Sequence, residues 1–252
     1  MVNVIFTLTP ILSISGGLLR YGVRVKFIQI GGSADKMSHD NNNQKRDGLR
    51  VLFPTLIYEA WFPDFSAMEG KLVSFVEQMR DQDVEGKRLS AEQYPSGYTS
   101  YFTRNALYKD PELLDLVKFM HLAADNFARD HHWDIKNYQP VINSMFANIN
   151  PKYSFHPEHL HPYSHISGVF YVKSDANSPA IGFKDPRAAR WMMPPAADGM
   201  RPENAFHAKL APEPGKLFLF PSWLEHSVAQ NLSDRERISM SFNFEMRQKS
   251  PA

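Results

Sequence analysis

Histidines crowd into the run Phe155-His156-Pro157-Glu158-His159-Leu160-His161-Pro162-Tyr163-Ser164-His165. In an extended segment, side chains two apart point to one face, so His159 and His161 can offer two imidazoles to one metal ion. A third ligand has to come from another strand. His226 stands in Phe220-Pro221-Ser222-Trp223-Leu224-Glu225-His226, just after the apolar run Leu217-Phe218-Leu219-Phe220 and 65 residues past His161. His156-x-Glu158 is a competing pair with conventional ligand types, but Pro157 lies inside it. Clustered loop histidines are also often simply solvated, so spacing alone leaves metal binding open.

The C-terminal segment adds a charged group. Arg237-Ile238-Ser239-Met240-Ser241-Phe242-Asn243-Phe244 alternates polar and apolar residues. Arg237, Ser239 and Ser241 therefore share one face, which points into a barrel if Ile238, Met240 and Phe242 face an outer packing layer. An inward guanidinium beside hydroxyls suits a carboxylate. A carboxylated co-substrate next to a metal is one reading, and an ion pair with the protein's own Asp or Glu is the other.

Elements must position these groups. Ser66-x-x-Glu69 is a candidate capping box, and Phe65, Met68, Leu72, Val76 and Met79 form the stripe of an amphipathic helix. A second helix is expected to start at Asp110-Pro111, with the stripe Leu113, Leu116, Val117, Met120, Ala124 and Phe127. Both stripes read as core packing. Val51 to Tyr58 reads as two half-strands broken at Pro54, which suits a sheet edge. Short β-type runs follow at 141–150, 166–172, 180–183, 216–220 and 238–244. Two helices followed by strands predict a mainly β domain with supporting helices, a sandwich or barrel.

The 252 residues contain 28 Lys+Arg against 27 Asp+Glu, for a formal net charge of +1, so no surface built mainly for a nucleic-acid backbone is expected. With no cysteine there is no disulfide framework, thiolate nucleophile or Cys-ligated metal cluster. The apolar run Val4 to Leu12 is too short and too interrupted to span a bilayer. It lacks both a preceding Lys or Arg and a small-x-small cleavage site, so a secretory signal is not expected and a cytoplasmic location is. Residues 31–48 are polar and turn-rich. Residues 1–48 are accordingly expected to be a disordered or non-native extension and linker, with Met37 a candidate natural start, and residues 49–252 to be the working domain.

Four ordered motifs carry a resemblance: His159-x-His161-Pro162-x-Ser164-x-x-Ser167-Gly168-Val169-x-Tyr171-Val172, Phe183-x-Asp185-Pro186-Arg187, Phe220-Pro221-Ser222-Trp223-Leu224-x-His226 and Arg237-Ile238-Ser239-x-Ser241-Phe242-Asn243. Over residues 50–246 the chain resembles the 2-oxoglutarate and iron(II)-dependent oxygenases, in the branch with FPSWLEH and RISxSFN signatures. The resemblance implies a double-stranded β-helix, a cupin-like jelly-roll, with iron held by His159, His161 and His226. Elsewhere in that superfamily the early pair is His-x-Asp or His-x-Glu, and this sequence departs from it at His161. The resemblance also implies an arginine shortly past the last histidine to grip the distal carboxylate of 2-oxoglutarate. Arg237, eleven residues on, fills that place, with Ser239 and Tyr171 assisting and Ser167 and Asn148 as further cavity residues.

The implied activity consumes 2-oxoglutarate and O2, releases succinate and CO2, and hydroxylates a small-molecule or peptide substrate. A nucleic-acid substrate is not expected, and a homo-oligomer is left open. A cupin-like metal protein that does not use 2-oxoglutarate, and a non-catalytic binding protein on the same fold, are the rivals. Asp185-Pro186-Arg187 reads either as a structural turn with an ion pair or as a substrate-selecting rim. The stretch from Trp191 to Pro214 reads either as a lid or as a surface loop.

Overall fold

The computed structural model describes residues 4–15, 18–29, 52–94, 96–195 and 204–250. The chain divides into two compact units, Met1–Leu52 and Phe53–Ala252. In the first, β1 (Val4–Ser15) pairs antiparallel with β2 (Leu18–Gln29). The turn-rich stretch 31–48 lies outside the described residues.

The second unit is built on two antiparallel sheets. Its strands are β3 (Tyr58–Trp61), β4 (Tyr98–Thr99), β5 (Tyr138–Asn150), β6 (His156–His159), β7 (Ile166–Lys173), β8 (Ile181–Lys184), β9 (His207–Leu210), β10 (Lys216–Pro221), β11 (His226–Val228) and β12 (Arg237–Gln248). The larger sheet runs β3-β10-β7-β12-β5-β4 and the smaller β6-β11-β8-β9. The helices are α1 (Glu69–Gln82), α2 (Val84–Gln93) and α3 (Leu114–Asp130). Among the described residues no helix is long and apolar enough to cross a membrane.

Two apolar layers follow from strand alternation. Ile238, Met240, Phe242 and Phe244 of β12 join Ile166, Phe170 and Val172 of β7 in a core with Leu72, Val76 and Met79 of α1 and Leu116, Met120 and Phe127 of α3. The opposite face of the larger sheet supplies Val169, Tyr171, Phe218 and Phe220, which meet Ile181 and Phe183 of the smaller sheet. Both helical stripes thus bury against the larger sheet, and the polar face of β12 turns toward the space between the sheets. At Gly168 a Cβ would come within 2.4 Å of the Phe242 ring and 2.7 Å of Leu219, so glycine is what lets β10, β7 and β12 close together there.

Local details differ from the sequence expectations. Ser66 does not cap α1: it lies in a 3-10 turn, Phe65–Ala67, and the cap position is Met68, with no side-chain bond. Asp110 does cap, accepting from the Glu112 amide, but the first turn after it is 3-10 and α3 proper begins at Leu114. The N-terminal edge strand is displaced to Tyr58–Trp61, where it pairs with β10, and Phe53 takes a positive φ of 56°. Helix α2 has no apolar stripe, and Gly86 and Ser90 are its buried residues. It is held through Asp83, whose carboxylate accepts from the Gly86 amide at 2.9 Å, Tyr98 Oη at 2.9 Å and Thr103 Oγ1 at 2.5 Å. That knot ties α2 to β4 and sets Tyr94, just past the helix end, toward β5.

Candidate metal and carboxylate site

Register brings the histidines together. β6 and β11 are antiparallel neighbours with His159 directly opposite His226, so the two side chains share one face. His161 follows β6 in a loop whose Tyr163 adopts φ 67°. The loop is pinned back by His161 N–H donating to the Ser222 carbonyl at 3.0 Å. One ring nitrogen of each of His159, His161 and His226 lies within 4.8 Å of the others.

The hydrogen bonds fix which nitrogen faces inward. Nδ1 of His159 meets the Pro157 carbonyl at 2.9 Å, Nδ1 of His226 meets the Leu224 carbonyl at 2.9 Å, and Nδ1 of His161 meets Asn243 Oδ1 at 2.7 Å. A main-chain carbonyl oxygen only accepts, so in His159 and His226 Nδ1 carries the proton and Nε2 keeps its lone pair for a metal. Burial pushes His161 down to about 4 and His226 down to about 3, and it lowers His159 as well, so all three are neutral near pH 7. His156, stacked on His159 with ring centroids 4.2 Å apart, is also pushed by burial to about 3 but stands outside the triad. Glu158, the other half of the competing pair, is engaged by Lys184, which also reaches Glu225 at 2.9 Å.

A cavity extends from the triad to Arg237, with Asn148, Asn150, Ser239, Ser241 and His156 on its wall. β12 pairs with β5 so that Arg237 faces Asn150 and Ser239 faces Asn148, while Tyr171 of β7 lies opposite Ser239. Arg237 is 2% exposed. Its Nη1 donates to Asn150 Oδ1 at 3.1 Å and to Ser239 Oγ at 3.4 Å, and its guanidinium lies 4.9 Å from the Tyr171 ring centroid. Among the described residues no carboxylate pairs with it, and its Nε has no acceptor. The Tyr171 hydroxyl and Asn148 Oδ1 are likewise buried without a partner. A buried cation without a counter-ion is costly, whereas a ligand carboxylate would satisfy it. The donor set thus fits a divalent metal at the imidazoles and a carboxylate at Arg237.

Ser167 lies elsewhere than the cofactor role expected of it. It is on the expected face of β7 but at the other end of the strand, with its hydroxyl in contact with Ser222 Oγ at 2.8 Å and Asn243 Oδ1 at 2.7 Å, and it does not line the cavity. Sequence reasoning missed Asn150 and Tyr94. Asn150 Nδ2 donates to Tyr94 Oη at 2.6 Å while its Oδ1 holds Arg237, and the signal for Asn150 was its position opposite Arg237 on a neighbouring strand. Asp185-Pro186-Arg187 is a turn with an ion pair of 2.8 Å. Of the stretch from Trp191 to Pro214, residues 196–203 lie outside the described residues, and Trp191 is exposed.

The buried neutral histidines set a pH dependence. Their native pKa values lie below that of a free imidazole, about 6.5, so below that pH the unfolded chain binds protons that the native site refuses. Stability of the metal-free protein should therefore fall as pH drops from 7 toward 4, by up to about 1.4 kcal/mol per pH unit for each fully buried imidazole. Thermal unfolding in chelator at pH 7.5 and pH 5 checks this, and an unchanged midpoint would contradict it.

Residues 144–243 match the family described as "Putative 2OG-Fe(II) oxygenase", a span that contains all three histidines, Arg237 and Ser239. No curated protein matches the sequence. Among solved structures, the non-heme alpha ketoglutarate dependent epimerase SnoN from nogalamycin biosynthesis is similar at a TM-score of 0.50 and 10% identity, over 75% of this chain and 77% of that one. A prolyl-4-hydroxylase of Pseudomonas putida has a TM-score of 0.47 at 15% identity, over 77% of this chain and 94% of that one. A Burkholderia pseudomallei oxidoreductase of the 2OG-Fe(II) oxygenase family has a TM-score of 0.40 at 15% identity over 54% of this chain, which spans 56% of that one's length. With the epimerase, at 10% identity, it is the jelly-roll fold alone that is shared.

Proposed function

We propose that this chain, whose residues 144–243 match the 2OG-Fe(II) oxygenase family model, is an oxidoreductase that hydroxylates a C–H bond of a small-molecule or peptide substrate at the expense of 2-oxoglutarate and O2. The observation that carries the reading is the pairing of two unsatisfied groups across one cavity: three imidazoles with converging lone pairs, and a buried arginine with no protein carboxylate among the described residues. His159, His161 and His226 would hold the iron, and Arg237 the distal carboxylate of 2-oxoglutarate. Iron(II) and 2-oxoglutarate together supply the oxidation, in which the oxo-acid is decarboxylated to succinate and CO2 as O2 is reduced.

The chain's own residues bind, orient and exclude water. Arg237 provides charge and direction at one end of the cavity, with Ser239 beside it and Asn150 fixing its Nη1. Tyr171 lies under the guanidinium with its hydroxyl buried and outside the cavity lining, so its part is to position Arg237. The apolar layer of Val169, Phe183 and Phe220 beneath the triad keeps that end of the cavity dry. No acid or base of the protein is required.

The test is direct. Purified protein given iron(II), 2-oxoglutarate and air should release succinate above a protein-free control even without its prime substrate, and addition of the right substrate should accelerate it. Metal binding with no succinate under any condition would favour the cupin-like or non-catalytic reading. We also propose that the working domain is 49–252 and that the protein acts in the cytoplasm.

A further inference from the structure

Two of the three imidazoles are oriented locally and the third is not. His159 and His226 each donate Nδ1–H to the main-chain carbonyl two residues before them, Pro157 and Leu224, a contact supplied by the adjacent stretch of chain. His161 lies beyond the end of β6 in a loop, and its Nδ1–H goes to the side-chain amide of Asn243, 82 positions away on β12. We propose that Asn243 is the positioning residue that makes His161 a metal ligand, and that it does so by selecting the Nδ1–H tautomer. The proposal rests on the reading of the three histidines as the metal site.

Asn243 is itself held from both neighbouring strands. In register it lies opposite Ser167 of β7 and Ser144 of β5. Its Oδ1 accepts from Ser167 Oγ at 2.7 Å as well as from His161, and its Nδ2 donates to Ser144 Oγ at 2.8 Å. Ser222 Oγ closes the chain on Ser167 at 2.8 Å. In this arrangement every polar atom of the amide is engaged: Oδ1 by Ser167 and His161, Nδ2 by Ser144. Asn243 is 6% exposed and Ser167 fully buried, so no water competes freely for these bonds.

The ladder is irregular at this point. Asn243 pairs with Ser144 but Phe244 pairs with Ile142, which leaves Asn143 as an extra residue on β5. A bulge re-aims the side chain it frees. Asn143 Nδ2 reaches Ser164 Oγ at 3.2 Å, in the same loop as His161, and the loop's far end is fixed where His165 N–H donates to the Phe244 carbonyl at 2.8 Å. Docking of β12 therefore sets the loop's position and the imidazole's tautomer together. A neutral amide also does this without the charge that a carboxylate would add behind the ligand.

The test uses the metal-free protein first. Nitrogen-15 shifts of the histidine rings in the wild type should show His161 as the Nδ1–H tautomer, and an Nε2–H assignment would overturn the proposal with no variant needed. Asn243→Leu, of similar size without an acceptor, should move His161 away from that tautomer and weaken cobalt(II) binding, measured by chelator competition, by about 10–100-fold. Asn243→Asp retains an acceptor and should keep both the tautomer and an affinity no weaker than wild type, a rescue that a merely structural role would not give. If wild type binds cobalt(II) and Asn243→Leu keeps tautomer and affinity, this inference fails alone. If wild type binds neither cobalt(II) nor iron(II), the metal-site reading fails and takes the inference with it.

Discussion

Arg237→Ala should weaken 2-oxoglutarate binding to the iron-loaded protein by about 30-fold or more, the scale expected when one partner of a buried, hydrogen-bonded charge pair costs ~2–5 kcal/mol to truncate. The guanidinium is 2% exposed, no protein carboxylate among the described residues neutralises it, and Nε has no acceptor. A bound carboxylate thus gains a desolvated cation whose position Asn150 and Ser239 already hold. Arg237→Lys keeps the charge but loses the planar fork, and should fall between the two. Calorimetric titration of 2-oxoglutarate measures the effect. Equal affinity in wild type and Arg237→Ala would remove the co-substrate from this end of the cavity. Because the three histidines lie at the other end of the cavity, iron affinity should change little, which separates loss of the anchor from loss of the fold.

His161→Ala should have the opposite signature. It removes one of three converging lone pairs, so metal affinity should drop by more than the ~10–100-fold typical of losing a supporting residue. His159→Ala and His226→Ala should behave alike, since the three ring nitrogens lie within 4.8 Å of one another. His207→Ala is the control: it is exposed on β9 and should leave metal affinity unchanged. Competition against a chelator of known strength reads all four. A His161→Ala protein that binds iron as tightly as wild type would mean that His161 is a supporting loop histidine.

Much of this arrangement was legible in the sequence because it rests on periodicity. The α1 and α3 stripes recur at three and four residues, and β12 alternates so cleanly that Ile238, Met240 and Phe242 go to the helix layer while Arg237 and Ser239 face the cavity. What stayed hidden depends on contacts between distant residues. Helix α2 has no apolar stripe because it is anchored through the Asp83 carboxylate and Ser90 rather than through packing. Strands β6 and β11 have four and three residues, too few for a pattern, yet they pair His159 with His226. For Ser167 parity gave the right face of β7, but position along the strand decides function: that end of β7 meets Asn243 and Ser222, while Tyr171 reaches Arg237. Asn150 and Tyr94 bear on Arg237 only through tertiary closure.

At His161 the chain departs from the carboxylate of the oxygenases it resembles, and the geometry gives that departure a physical setting. With three neutral imidazoles the protein adds no negative charge to the metal, so charge compensation falls to the anions that join it. A dicarboxylate oxo-acid anchored by Arg237 brings two.

The most direct test of the central claim is anaerobic. Iron(II) is added to the purified protein, then 2-oxoglutarate, and the visible spectrum is followed for the weak charge-transfer absorption of an iron–oxo-acid chelate. The expected result is a band that saturates with 2-oxoglutarate, weakens in Arg237→Ala and is lost in His161→Ala. Iron binding without any band at saturating 2-oxoglutarate would contradict it.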